Sequence, residues 1–89
     1  MNIRHDAAAG RFTVVTDGVE SELVYRLAGD VMTILHTGVP SEVGGRGIGA
    51  ELVRAAFETA RVRGWKVVPA CSYAQAFANK HTEYADLLR

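Results

Sequence analysis

Between Ser41 and Val53 the chain reads SEVGGRGIGAELV, with four glycines among the six positions 44 to 49 and helix-favouring residues directly behind them. A strand-like run, VMTILHT (31–37), comes just before. A strand, a glycine-rich loop and a helix start together present unpaired backbone N–H groups and the positive end of a helix dipole. An anion suits such a corner, and a diphosphate suits it best. Gly45, Gly47 and Gly49 have no side chains to hold a phosphate away from the amides, and Arg46 adds a charge at the loop's edge. The plainer alternative is that the glycines only make a sharp turn and let the helix pack closely. A P-loop is excluded, because Ala50 and Glu51 stand where it needs Lys and Ser or Thr. A dinucleotide fingerprint belongs after the first strand of a doubly wound sheet, whereas this loop follows three or four strand-like runs in a short chain.

Those runs occupy the first half of the chain. Ile3 to His5 opens, and RFTVVT (11–16) alternates before the hairpin signal Asp17-Gly18. SELVYRL (21–27) sets Leu23, Tyr25 and Leu27 against the wetter side of Glu22, Val24 and Arg26. After the Ala28-Gly29-Asp30 turn, VMTILHT is apolar on both faces and reads as a central strand. The period then changes. Ile48, Leu52, Val53, Ala55, Ala56, Phe57, Ala60 and Val62 share one broad arc of a helix over 48–63, opposite Glu51, Arg54, Glu58 and Arg61. Gly64 is placed to cap it, WKVVPAC (65–71) closes a β-α-β crossover, and Pro69 marks an edge, a bulge or the strand's last rungs. SYAQAFANK (72–80) reads as a short second helix, with a final turn over 82–88 packing Tyr84, Leu87 and Leu88. The expected fold is one α/β (α+β) domain over 1–89, with a mixed, largely antiparallel sheet of four or five strands, one long helix and a short helix near the carboxyl end.

Composition bears on what the domain binds. Ten basic and ten acidic side chains leave no net charge, which argues against nucleic acid. No apolar run is long enough to span a membrane, and the amino terminus lacks the core of a signal peptide, so the cytoplasm is expected. Cys71 is the sole cysteine, which excludes an internal disulfide and argues against a structural metal. The sequence is compatible with a monomer and says nothing further on assembly.

Taken in order, HTGVP (36–40), GRGIGAELV (45–53), KVVPACSYAQAF (66–77) and HTEYADLL (81–88) resemble the Gcn5-related N-acetyltransferases, in particular their small YjdJ-type branch. The resemblance implies a compact fold of that superfamily, acetyl-CoA or CoA as cofactor, and transfer of acetyl to an amine, either a small molecule or a polypeptide amine. A CoA-binding module without turnover and a protein-interaction adaptor are the alternatives. It further implies that the amides around Arg46, Gly47 and Gly49 hold the diphosphate, with Gly45, Ile48 and Ala50 completing the loop. Thr37, Val39, Cys71, Tyr73 and Phe77 would complete the cofactor site, with the strand near His36 and Thr37 beside the pantetheine arm and its main chain polarising the thioester. Two departures stand out. Gly44 replaces the Arg or Gln that opens the superfamily signature, and Phe77 and Ala78 lie where a general-acid Tyr is usual.

Cys71 falls between a strand end and a helix start, where the dipole favours a thiolate. It could accept the acetyl group or relay a proton to the leaving sulfur; equally, it could be a small buried hydrophobe. His36, at the end of a strand, suits a general base, and equally a residue bonded into the turn before Pro40.

Overall fold

The computed structural model describes all of residues 1–89 and has a five-stranded sheet in the order β1-β2-β3-β4-β5. The strands are β1 (Arg4–Asp6), β2 (Arg11–Thr16), β3 (Val19–Ala28), β4 (Val31–Gly38) and β5 (Lys66–Pro69). Neighbours pair antiparallel except β4 and β5, which are parallel and joined by the crossover helix α1 (Ile48–Arg63). A short helix α2 (Ser72–Lys80) and a 3-10 stretch (Thr82–Leu87) finish the chain. Pro69 is the last rung of β5 at the sheet's edge, where its missing N–H costs no ladder bond. The chain end covers that edge through a Val67–Leu88 bridge.

The fold has two layers. Phe12, Val14, Leu23, Tyr25, Met32 and Ile34 alternate onto one sheet face and are buried under Ile48, Leu52, Val53, Ala56, Phe57 and Ala60 of α1. Burying a side chain of Leu, Ile or Phe size contributes about 1.5–3 kcal/mol, so this face dominates stability. Gly64 ends α1 in the left-handed conformation, with its N–H on the Ala60 and Arg61 carbonyls. Phe77 of α2 and Tyr84 of the 3-10 stretch stack on Phe57 at ring-centroid distances of 5.8 and 5.1 Å.

Several expectations are corrected by the packing. Leu27 faces the helices opposite Met32 but is 41% exposed, because β2 ends at Arg11, opposite Val24, and leaves the far end of β3 without its neighbour. Val62 is 85% exposed; it falls beside Glu51 on the helical wheel, outside the buried arc. β4 is the fourth strand of five rather than the middle one, and its second face is not covered by a helix. Its Leu35 is 44% exposed for a separate reason. Val24 pairs with His36 while Tyr25 pairs with Ile34, so Leu35 is the extra residue of a β-bulge.

Candidate active site

Beyond β4 the chain makes one 3-10 turn (Ser41–Val43), pinned by the buried Val43, and then the glycine-rich loop. Gly45 and Gly47 both take φ of 78°, a left-handed value that a side chain would strain. Gly47 is the N-cap of α1 and supplies no side-chain cap. The first bond of the helix runs from the Glu51 N–H to the Gly47 carbonyl at 3.1 Å. Between Gly44, whose N–H is bonded to Ser41, and Glu51, no amide from residue 45 to residue 50 donates to a protein acceptor. A run of free N–H groups at a helix's positive end is what the chemistry of an anion site requires. Nothing lies within 4 Å of where a Cβ on Gly45 or Gly47 would stand, so the approach is open.

Gly49 has another task. A Cβ there would fall 2.6 Å from both Cζ and Oη of Tyr73, so the bare Cα is the seat of that ring. Tyr73 belongs to the face of α2 that lines an open cleft of about 210 Å³ with Ala76, Phe77, Lys80 and His81, closed on the other side by Ala50 of α1. His81 stacks on Phe77 at 4.2 Å, and the Arg54 guanidinium lies 5.5 Å from the same ring. The cleft therefore has an apolar floor, a cation at Lys80 and a start at the glycine-rich loop. Ala76, Lys80 and His81 were missed by sequence reasoning. The spacing Tyr73, Ala76, Phe77, Lys80 at three and four residues was the signal that could have found them.

A second gap opens where β4 and β5 part. Their ladder ends at Ile34 and Pro69, and the Ile34 carbonyl then accepts both the Ala70 and Cys71 N–H groups, at 3.0 and 3.2 Å. Past that point β4 pairs only with β3, while the other chain turns away into α2. Cys71 is the N-cap of α2, its Sγ accepting the Ala74 N–H at 3.3 Å, and Thr37 Oγ1 lies 3.7 Å from that sulfur. Thr37 is opposite Leu23 on the helix-covered face; His36 is opposite Val24 on the uncovered one. Without the bulge at Leu35 the two would be exchanged, since His36 would then share the face of Ile34. The His36 ring folds along the strand, its Nε2 2.8 Å from where a Cβ on Gly38 would stand. Thus Cys71 and Thr37 meet at the parting of the strands, with His36 on the reverse side of the same strand.

The remaining polar groups anchor the chain end. Tyr84 donates to Glu58 Oε2 at 2.5 Å and accepts from Arg54 at 3.2 Å, and its hydroxyl is held above the usual phenol range first by burial and then by the Glu58 bond. Arg61 bonds both carboxylate oxygens of Asp86, which keeps that carboxyl below its ordinary range. Trp65 is half-buried against the core under Arg63.

A mixed sheet whose last two strands part beside a glycine-rich helix start is a GCN5-like arrangement. The solution structure, determined by NMR, of a GCN5-like candidate N-acetyltransferase from Staphylococcus aureus superimposes with a TM-score of 0.78 at 31% identity, over 99% of this chain and 87% of that one. The model of the GCN5-related N-acetyltransferase family matches residues 11–87. The chain belongs to that family, whose members generally use acetyl-CoA. No helix is long and apolar enough to cross a membrane.

Proposed function

We propose that residues 1–89 act as one N-acetyltransferase unit that moves acetyl from acetyl-CoA to an amine. The observation that carries this reading is the unbroken row of unpartnered amides from residue 45 to residue 50, whose last member, Ala50, also lines the cleft with Tyr73 and Phe77. Gly45, Arg46, Gly47, Ile48, Gly49 and Ala50 would hold the diphosphate through their N–H groups. Tyr73 and Phe77 would flank the pantetheine arm, with Thr37 and Val39 on the β4 side. The cofactor supplies an activated thioester: its C–S bond breaks as the amine's N–C bond forms.

The chain's own residues then manage two protons. His36 accepts one from the incoming ammonium, on the uncovered face. Cys71 Sγ–H gives a proton to the departing sulfur and regains one from the nitrogen of the new amide, so charge and atoms balance. A relay suits Cys71 better than acyl capture, because its sulfur is already engaged by the Ala74 N–H and Thr37. A monomer in the cytoplasm, where the thioester is available, is the matching setting. The alternative of a CoA-binding module without turnover is favoured by one observation: the buried Phe77, stacked on Phe57, stands in place of an acid.

Calorimetric titration with acetyl-CoA, followed by CoA release over a panel of small amines and lysine peptides, tests the reading. Binding with amine-dependent release is expected, and Cys71→Ala should lower kcat without abolishing binding. Absence of heat and of any thermal shift at millimolar acetyl-CoA would refute it. Binding without release from any amine favours the module, and an acetyl adduct on Cys71 in intact-mass spectra would replace the relay with acyl capture.

A further inference from the structure

The tip of the β2–β3 hairpin reaches the glycine-rich loop. Asp17 and Gly18 make its two-residue turn with φ of 51° and 77°, and Asp17 is the only non-glycine residue of the chain at positive φ. From that turn Asp17 Oδ2 accepts a 2.7 Å hydrogen bond from Arg46 Nη1. Arg46 stands between Gly45 and Gly47, both left-handed, in the middle of the unpartnered amides. The one cationic side chain of this loop thus already holds a carboxylate.

The geometry points to Asp17 as a resident counter-ion of the loop, which an incoming diphosphate displaces from Arg46 and which thereby sets cofactor affinity. This rests on the CoA-binding reading above. The carboxylate and a bound phosphate would carry like charges against one guanidinium, and two anions so close repel. The exchange is easy because the pair is a single contact rather than a two-pronged one, and its side chains are 48% and 69% exposed. A small anion that offers only charge gains little by replacing one carboxylate with another. A ligand that also fills the cleft beyond Ala50 does gain. Asp17 therefore tunes both affinity and selectivity from a strand pair that otherwise has no part in the loop.

The test is titration of Asp17→Asn and Asp17→Gly with CoA and with 3′-dephospho-CoA. Both substitutions tolerate the left-handed turn, so the fold is kept, which an unchanged melting profile checks. Both ligands should bind about two- to five-fold tighter than to the unaltered protein, the range an exposed ion pair supports. In an Arg46→Gln background Asp17→Asn should change nothing. Unchanged or weaker binding in both variants, a gain confined to CoA over its dephospho form, or a gain that survives Arg46→Gln would each overturn the proposal. If the unaltered protein binds no CoA, the functional reading itself fails, a different and separately visible result.

Discussion

Replacing Gly49 with Ala separates helix propensity from packing. Gly49 is the second residue of α1, and Ala in a helix interior is better than Gly by about 1 kcal/mol. Against this, the new methyl would fall 2.6 Å from the Tyr73 ring, and either the overlap or the loss of that ring's seat costs about 1–3 kcal/mol. The net change is a loss of up to about 2 kcal/mol. Since about 1 kcal/mol moves Tm by roughly 4–8 °C in a domain of this size, Gly49→Ala should lower Tm by up to about 16 °C. In a Tyr73→Ala background the obstacle is gone, and the same substitution should raise Tm by about 4–8 °C. Urea and thermal unfolding of the four proteins of this double-mutant cycle, followed by circular dichroism, give the coupling directly. Effects that add within about 0.5 kcal/mol would refute the contact. So would a destabilisation that persists without the Tyr73 ring.

Gly47→Ala and Gly64→Ala both place a methyl where no atom lies within 4 Å, at φ of 78° and 72°, so each should cost about 1–2 kcal/mol of conformational strain, readable as a fall in Tm. CoA titration then tells them apart, with only Gly47→Ala weakening binding, because Gly64 caps the opposite end of α1. Ser21 is fully buried and its hydroxyl has no protein partner, so Ser21→Ala should leave stability unchanged or raise it by up to about 1 kcal/mol, seen as a urea midpoint that does not fall. His5 stacks on Phe12 at 4.1 Å and bonds Tyr25 at 2.7 Å, and its pKa is lowered, first by burial and then by the charge of Arg63. The neutral ring is the one that fits, so its contribution is complete above the ordinary histidine pKa and is lost as pH falls through the lowered folded value. Tm should drop on going from neutral pH into that acid range, and His5→Gln should flatten the drop.

Much of the fold was legible because periodicity is a local property. The limits of α1, the Asp17-Gly18 hairpin turn, the cap at Gly64 and the edge position of Pro69 follow from residue types a few positions apart. The glycine-rich loop was readable for the same reason, since left-handed backbone at Gly45 and Gly47 and a helix start without a side-chain cap are written in adjacent residues.

What the sequence could not state were relations between residues far apart along the chain. The bulge at Leu35 exists only in register with Val24 and Tyr25, and it decides that Thr37 rather than His36 shares the helix-covered face with Ile34. The seat of Tyr73 on Gly49 joins two helices, and the ion pair of Asp17 with Arg46 joins residues 29 positions apart. Val62 and Leu27 looked like core residues because hydrophobicity gives a preference for burial, whereas burial itself needs a neighbour, and neighbours are settled by how the layers pack. Local backbone chemistry prescribed an anion-binding corner; tertiary packing decided which side chains surround it.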